Sequence, residues 1–393
     1  MGAEHTTQPL KLSRGIKLPK SPSTVSVTAI DSTSRLAVPV SVLIGPPISG
    51  HDRISCPAIS FLIKHAATGK HVLFDLGTRK DLSNFSPATV RLITQPSWTV
   101  EVDKDVADIL GDNGIPPSRI DAVIWSHWHY DHVGNMKTFP SSTDLIVGPG
   151  FREALTPGWP VNENSMLLEA DWEGRNLVEM DFSSSDIKIG RFRALDFFAD
   201  GSFYLLDTPG HAIGHMCALA RVTSGPGTAA AAADDDDNDT FILLGGDACH
   251  HNGEFRPTEL LPLPETIHPS PISSMSICPA SLFQAIHRDK SATTEFYKLA
   301  PKFSHDHHAA VDTIHGLEEL DADARVLVLV AHDPALTDGS LDVPLFPAGT
   351  LDDWKARGLK ERIRWYFLRD FAEAAVHGRQ QLQTMGEGMV VKG

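Results

Sequence analysis

The segment from Ser126 to Gly134, SHWHYDHVG, concentrates side chains that bind metal ions. His127, His129, Asp131 and His132 fall within six residues, directly after the apolar run IDAVIW. Imidazole nitrogens and carboxylate oxygens are the ligands that zinc-like ions take. In an extended segment side chains alternate, so His127 and His129 point the same way and can bind one ion. A turn at Asp131 and His132 can direct these two toward another ion, so the spacing predicts two neighbouring metal positions.

Three other apolar runs each end at a residue of a metal-binding type. FYLLDTPG precedes His211, FILLGG precedes Asp247 and VLVLVA precedes His332. Strand ends at one edge of a sheet meet in a common crevice, which is where active sites of α/β proteins usually lie. A lone histidine at a strand end most often has a structural role. The joint pattern favours metal binding instead.

These motifs resemble the metallo-β-lactamase superfamily. Its signature H-x-H-x-D-H matches HWHYDH, and TPGHAIGH, GGDACH and VAHDP resemble its later motifs, while FDLG resembles its first one. The matches run in family order from Leu73 to Asp333. The resemblance implies an α/β fold, the αββα metallo-β-lactamase sandwich, in which two mixed β-sheets are flanked by helices and the metals lie at one edge.

Carried over by position, the resemblance implies two ions, each with its own ligands and one shared carboxylate. The expected ligands are His127, His129 and His211 for the first ion, Asp131, His132 and His332 for the second, and Asp247 as the bridge. His211 is preferred to His215, which we expect to support the ligands from behind, as we expect of Asp75. Two zinc ions are the default, although iron, manganese and cobalt also suit such ligands.

The same resemblance implies a hydrolytic mechanism. Two divalent ions roughly 3.5–4 Å apart can share a water and lower its pKa toward about 7. The resulting bridging hydroxide would attack a carbonyl carbon, and Asp131 would carry the proton to the leaving oxygen or nitrogen. No G-x-S-x-G motif suggests a serine nucleophile instead.

The substrate is less sharply indicated than the metals. The branch that the sequence resembles most, the N-acyl homoserine lactonase type, often carries a tyrosine three residues after the bridging aspartate. His250 holds that position here, and we expect it to act as a hydrogen-bond or proton donor. The first expectation is opening of a lactone ring. The alternatives are a lactam or cyclic carbamate such as benzoxazolinone, a thioester as in glyoxalase II, or a metal-dependent binding protein with an inactive site.

Residues that contact the substrate are expected near the metal ligands. The proline-rich stretch 250–280 predicts a rim of the active site, with Phe255 and Trp128 as substrate-binding residues. Leu260, Leu261 and Trp98 are further candidates for the lining. The cluster 305–308, HDHH, mimics a metal site, but it follows a predicted helix ending near Lys302 and is expected to be a solvated loop.

Composition limits the class of protein. The 393 residues are 41% hydrophobic, and 50 acidic against 34 basic residues give a net charge of −16. This acidic balance disfavours nucleic acid as a partner, and the expected partner is a small-molecule lactone or lactam. The four cysteines form no C-x-x-C pair, which fits a reducing compartment. No apolar run suggests a secretory signal or a membrane span, so a cytoplasmic location is expected, although Gly2 and Thr6 fit a weak acylation pattern.

The elements that must position the ligands follow from hydrophobic periodicity. Residues 1–24 predict a disordered or loosely packed leader and residues 25–393 a single catalytic domain, with an acidic low-complexity loop over 225–240. TVSVTAI, LAVPVSVLI, AISFLIKH, HVLFDLG and DLIVG predict further strands. Helical patterns lie near Val102–Leu110, over 281–300 and over 361–378, where Ile363, Phe367, Phe371 and Ala374 are expected to face a core.

Overall fold

The computed structural model describes residues 16–225 and 239–377. The strands are β1 Ser26–Pro39, β2 Ile44–Gly45, β3 Arg53–His65, β4 Lys70–Phe74, β5 Thr99–Glu101, β6 Ala122–Ile124, β7 Asp144–Val147, β8 Leu177–Glu179, β9 Lys188–Ile189, β10 Phe192–Asp196, β11 Phe203–Asp207, β12 Met216–Thr223, β13 Thr240–Leu244, β14 Thr266–Ile267, β15 Cys278–Pro279, β16 Lys298–Leu299 and β17 Val326–Leu329. The α-helices are α1 Val40–Leu43, α2 Pro87–Ile93, α3 Val106–Asp112, α4 Tyr130–Val133, α5 Phe151–Leu155, α6 Ser281–Ile286, α7 His307–Ala322 and α8 Leu359–Ile363.

Two mixed sheets carry the fold. The first has seven strands in the order β5-β1-β3-β4-β6-β7-β8, and the second has six in the order β17-β13-β12-β11-β10-β9. In the first sheet β4, β6, β7 and β8 run parallel, and in the second β13 and β17 do. Parallel neighbours bring their carboxyl ends to the same edge, which is where the predicted ligands follow.

The layers follow from side chains that alternate along each strand. In β3, Phe61 and Ile63 face the core between the sheets, whereas Leu62 belongs to the core on the other face, together with Leu110 of α3. On the outside of the second sheet, Leu317 of α7 packs in a further core. Sheets covered by helices on their outer faces are the predicted αββα sandwich, so the fold prediction is confirmed.

Some predicted elements differ in extent. TVSVTAI and LAVPVSVLI are largely one strand, β1, whose register shifts between Asp31 and Arg35 before the chain turns into α1. The helix predicted over 281–300 is only α6, because the chain then turns around His287. That side chain accepts the Asp289 N–H at 3.0 Å and bonds to the carbonyl oxygen of Glu295 at 2.9 Å.

The C-terminal pattern, predicted as one helix, is broken. It begins as α8 and continues as a 3-10 helix, Tyr366–Phe371. Ile363, Phe367 and Phe371 are buried as predicted. The helical spacing therefore indicated the buried face correctly, although the backbone does not keep one helical form.

The described part of the predicted leader packs against the second sheet. Ile16 and Leu18 contact the core on that sheet's outer face, and the Ile16 N–H donates to Asp323 at 3.1 Å. These apolar side chains make residues 16–24 better packed than the sequence predicts. The Gly2 pattern and most of the acidic insertion lie outside the described residues. No described helix is long and apolar enough to cross a membrane.

Candidate metal centre

The predicted ligands follow the carboxyl ends of strands from both sheets. His127 comes shortly after β6, His211 after β11, Asp247 after β13 and His332 after β17. The turn predicted after His129 is α4, which begins at Tyr130 and carries Asp131 and His132. The structure thus brings the ligands of four strand ends together at one edge of the sandwich.

One group contains His127, His129, His211 and Asp247, whose candidate ligand atoms all lie within 4.8 Å of one another. His211 Nε2 lies 3.2 Å from His127 Nε2 and 3.0 Å from His129 Nδ1. Asp247 Oδ2 lies 3.6 Å from His211 Nε2. Ligands about 2.0–2.1 Å from a tetrahedral ion stand roughly 3.3–3.4 Å apart, so these separations fit one zinc-sized cation.

A second group contains Asp131, His132, Asp247 and His332, again within 4.8 Å. Asp247 Oδ1 lies 3.0 Å from His132 Nε2 and 3.1 Å from His332 Nε2. Asp131 Oδ2 lies 3.4 Å from His332 Nε2. Asp247 therefore presents one oxygen to each group, as a bridging carboxylate would.

Unsatisfied polar atoms provide a test of whether cations fit. Among the described residues, His132 Nε2 and Asp247 Oδ1, two of the candidate ligand atoms, are buried without a hydrogen-bond partner. Three imidazole nitrogens also lie close together, namely His127 Nε2, His129 Nδ1 and His211 Nε2. Neutral imidazole nitrogens whose lone pairs converge repel one another unless a positive charge lies between them. The donor set fits two divalent cations.

Electrostatics differ between the two groups. Burial, with help from neighbouring imidazoles, lowers the pKa of His127 and His211 well below the usual value and that of His129 to about 3. Burial also acts to lower the pKa of His132 and His332, but the Asp247 carboxylate and other negative groups outweigh it and raise both. The second group therefore holds excess negative charge that a cation would balance.

Asp75 and His215 lie behind the candidate ligands. Asp75 Oδ2 accepts from His132 Nδ1 at 2.8 Å and Asp75 Oδ1 accepts the Ser126 N–H at 2.7 Å. His215 Nε2 accepts the Asp247 N–H at 3.1 Å, while its Nδ1 lies 2.9 Å from the carbonyl oxygen of Thr208. Such partners fix the orientation of metal-binding side chains.

The segment 305–308, predicted as a solvated loop, is only partly a loop: His305, Asp306 and His308 are exposed, but His307 and His308 belong to the first turn of α7. Asp306 caps α7 by accepting the Ala309 N–H, and His307 is already helical. The His305 N–H donates to the His211 carbonyl at 3.0 Å and the Asp306 N–H to the Gly210 carbonyl at 2.9 Å. Gly210 has φ +127°, and a Cβ there would collide with the Ala310 backbone. The segment supports the His211 loop because it packs directly against it.

A cavity of about 210 Å³ opens onto the two groups. Of the ligands, His129, Asp131, Asp247 and His332 line it, together with Tyr130 and His250. The remaining wall is mostly apolar and is called the apolar chamber here. Its lining includes Leu36, Val38, Leu43, Ile54, Cys56, Thr89, Leu92, Trp98, Trp128, Met166 and Phe303.

The predicted substrate contacts are only partly found in this lining. Trp128 lines the chamber, and its Nε1 is buried without a partner among the described residues. Phe255 does not line it: 1% exposed, it packs in the core outside the second sheet, with the Arg256 guanidinium 4.4 Å from its ring centre. Leu260 and Leu261 are absent from the lining as well, and Leu260 is exposed to solvent.

His250 is a buried imidazole at the edge of the two ligand groups. It is 4% exposed, and neither ring nitrogen has a hydrogen-bond partner in the described part of the chain. Its Nε2 lies 3.4 Å from Asp247 Oδ2, and its ring centre lies 4.9 Å from that of Phe303. A buried imidazole with unused hydrogen-bonding capacity therefore lies beside the Asp247 carboxylate.

Comparisons with known proteins agree with this geometry. The sequence profile of the metallo-beta-lactamase superfamily matches residues 56–223. The chain is 44% identical over 371 residues to gamma-lactamase FDB1 of Fusarium pseudograminearum, covering 92% of this chain and 86% of that protein. It is 42% identical over 365 residues to metallo-hydrolase mfmC of Annulohypoxylon moriforme, covering 92% and 91%.

Solved structures share the fold at low identity. A mutant of AiiA from B. thuringiensis, with N-decanoyl-L-homoserine bound at its active site, superimposes with a TM-score of 0.52 at 16% identity. The match covers 84% of this chain and 99% of that one. Because the sequence profile matches and the chain is more than 40% identical to FDB1 and mfmC over most of their length, it belongs to the metallo-β-lactamase superfamily of hydrolases.

Proposed function

We propose that this hydrolase opens the ring of a small cyclic amide or cyclic carbamate, using two divalent metal ions, with zinc as the first choice. The observation that carries the proposal is His250, an unpartnered buried imidazole beside Asp247. The nitrogen of an amide ring leaves poorly, and an imidazole N–H that hydrogen-bonds beside the breaking bond stabilises the charge that develops there. The full-length relative named a gamma-lactamase supports the same reaction class.

The metals and the chain have separate tasks. When bound, a pair of divalent ions supplies an activated water near neutral pH and polarises the carbonyl group of the substrate. His127, His129 and His211 would hold one ion, and Asp131, His132 and His332 the other, with Asp247 shared. Asp75 and His215 keep the ligand set oriented.

Proton transfer falls to two side chains. Asp131 turns Oδ2 toward the second group, 3.4 Å from His332 Nε2, so its other carboxylate oxygen is the one that takes up the proton. Asp131 takes a proton from the attacking water, the ring C–N bond breaks as the new C–O bond forms, and the proton passes to the departing nitrogen. His250 Nε2–H donates to the substrate beside that bond and stabilises the charge that develops there.

The apolar chamber sets the shape of the substrate. Aliphatic side chains, Trp98 and Phe303 surround the cavity, and they exclude water from the reacting bond. A largely apolar wall with a few polar groups is typical of sites for small uncharged ligands. Trp128 Nε1, buried and unpartnered, supplies a hydrogen-bond donor to a ring carbonyl or ring oxygen.

A lactone remains the second candidate, because the solved structures that share the fold include N-acyl homoserine lactone hydrolases. An alkoxide leaves more easily than an amide nitrogen and needs less help from an acid. A tyrosine in place of His250 would suit that substrate, which makes His250→Tyr an informative variant.

The test is a comparison of rates for metal-loaded protein on benzoxazolinone, a plain γ-lactone, an N-acyl homoserine lactone and a thioester. We expect benzoxazolinone to be opened fastest, and His250→Gln to lower that rate about 100-fold with metal content unchanged. Faster turnover of either lactone would favour the second candidate. Two bound ions without turnover of any substrate would identify a binding protein instead.

A further inference from the structure

A third cluster of metal-binding residue types lies beside the candidate centre. His51, His251 and Asp370 bring candidate ligand atoms within 4.8 Å of one another. They border a cavity of about 260 Å³ that also touches His250 and His332. Its position next to the active site raises the question of whether it binds a further cation or serves the chemistry in another way.

The hydrogen bond at the far side of the His251 ring answers that question. At the dinuclear centre, the nitrogen facing away from the ion bonds to an oxygen acceptor: Asp75 for His132 and the Pro57 carbonyl for His332. These rings therefore carry a proton on Nδ1 and keep a lone pair on Nε2. His251 differs, because its Nδ1 accepts the Gly253 N–H at 3.0 Å.

A neutral His251 must then carry its proton on Nε2, which faces Asp370 Oδ2 at 3.2 Å. A ring in this form has no lone pair to give a cation. The cluster is consequently a chain of hydrogen bonds from the Asp370 carboxylate through the His251 ring to the backbone of Gly253.

That backbone belongs to the turn that carries His250. Glu254 Oε2 accepts the N–H groups of His250 at 2.6 Å and His251 at 3.0 Å, and Glu254 is 2% exposed. With the His251–Gly253 bond this makes a capping box around the short 3-10 helix Asn252–Glu254. Asn252 ties the turn to the loop of His332 by donating to Asp333 at 2.8 Å.

His250 itself has no hydrogen bond through its side chain in the described structure. Its ring position is therefore set by contacts with neighbouring rings and by its backbone, which Glu254 holds. Asp370 lies in the 3-10 helix Tyr366–Phe371, and Phe367 and Phe371 pack on the His251 ring with centres 5.4 and 5.6 Å away.

We propose that Glu254, His251 and Asp370 are positioning residues that hold His250 over the reacting bond, so that the C-terminal segment controls the geometry of the active site. The proposal rests on the function proposed for His250. It assigns no ion to the third cluster, although His51, His251 and Asp370 are residue types that bind metals.

The experiment compares Asp370→Ala, Asp370→Asn and Asp338→Asn in the metal-loaded protein. Asp370→Ala removes the acceptor, and we expect kcat to fall about 10-fold with KM unchanged, because a small displacement of a reacting group is costly. Asp370→Asn keeps an oxygen acceptor and restores most of the rate. Asp338 pairs with Arg369 of the same 3-10 helix, so Asp338→Asn is the matched control and should leave the rate unchanged.

A double-mutant cycle with His250→Gln separates positioning from general damage, since residues that act through one another do not add. We expect Asp370→Ala to lower the rate no further in the His250→Gln background. Equal losses in both backgrounds, or an equal loss in Asp338→Asn, would overturn the proposal. Three ions per wild-type chain and two in Asp370→Ala would overturn it in favour of a metal site.

Amide hydrogen exchange of the peptide spanning 248–256 tests the turn without any substrate. We expect faster exchange in Asp370→Ala and in Glu254→Ala, with Asp370→Asn close to the wild type. If His250→Gln has the wild-type rate, the function proposed for His250 fails, while the exchange result still decides whether the turn is held. Unchanged exchange in both Asp370→Ala and Glu254→Ala would contradict the positioning role.

Discussion

Two buried groups of charged side chains, one around Arg256 and one around Asp247, differ in how their charge is balanced. Behind the active site, Arg256 forms a bidentate pair with Asp321 at 2.7 and 2.8 Å, and Lys360 Nζ donates to three backbone carbonyls. At the metal centre, the titratable side chains that pair with Asp75, Asp131 and Asp247 are imidazoles. The first group is neutralised by cationic side chains of the chain itself, whereas the second needs cations from outside.

Acidic residues that are equally buried therefore differ in whether they need a bound cation. Arg256 and the other cationic neighbours outweigh burial and hold the pKa of Asp321 well below its usual value, so this carboxylate needs nothing further. At the centre, a buried Asp247 oxygen has no hydrogen-bond partner in the described chain. Buried carboxylates grouped with imidazoles, and not with arginine or lysine, are therefore the physical mark of a metal site here.

The largest expected effect is a loss of folding stability when the ion pair between Arg256 and Asp321 is broken. Asp321→Asn leaves the buried Arg256 without its anion, and we expect the free energy of unfolding to fall by about 3–5 kcal/mol. Urea unfolding measures this loss, and metal content per folded chain should not change. Asp312→Asn, at an exposed ion pair with Arg191, is the control and should cost less than about 1 kcal/mol.

The same variant has a defined pH dependence. Because the pKa of Asp321 is lowered in the folded protein, the unfolded chain takes up the proton first as the pH falls below about 4. The stability difference between wild type and Asp321→Asn should thus be constant above pH about 5 and shrink below it. A difference that grows toward acid pH would contradict this assignment.

A smaller effect is expected from removing ions at the other group. Chelation takes away cations that bind only the folded chain, so it should lower the free energy of unfolding by about 2.7 kcal/mol when free metal had been at 100 times its dissociation constant. Thermal unfolding with and without chelator measures this change. Asp247→Asn, which weakens both positions, should show little response to chelator; identical melting of wild type in both conditions would argue against bound ions.

The smallest of these effects is expected behind the second ion. Asp75→Asn should weaken metal binding about 10- to 100-fold, because Asp75 orients His132 and adds negative charge near it. Competition with a coloured chelator measures the affinity. We expect one ion to be weakened more than the other, and equal weakening of both would place the role of Asp75 elsewhere.

The grouping of the candidate ligands could be predicted from the sequence because each of them stands in a short local motif at a strand end. The chamber could not, since its wall is assembled from β1, β3, α2 and single residues such as Met166 and Phe303. Phe255 shows the reason: an apolar residue after a ligand motif has the same local pattern whether it lines a cavity or fills a core. Only the path of the chain after Asp247 decides between them.

Helices were predicted less well than strands for a related reason. The apolar spacing near the C-terminus identified the buried side chains of Ile363, Phe367 and Phe371, but not the switch to a 3-10 helix. Hydrophobic periodicity reports which face is covered, while hydrogen bonds from side chains such as His287 decide where a helix ends.

Phe303 belongs both to the wall of the apolar chamber and to the packing of the metal centre. It packs on the rings of both His211 and His250, and the His305 N–H two residues later holds the His211 carbonyl. A change at Phe303 that widens the chamber for a larger ring will therefore also loosen a metal ligand. Met166 also lines the chamber, but it is far in sequence from every candidate ligand. Substitutions at Met166 should therefore change the substrate preference with less loss of metal binding.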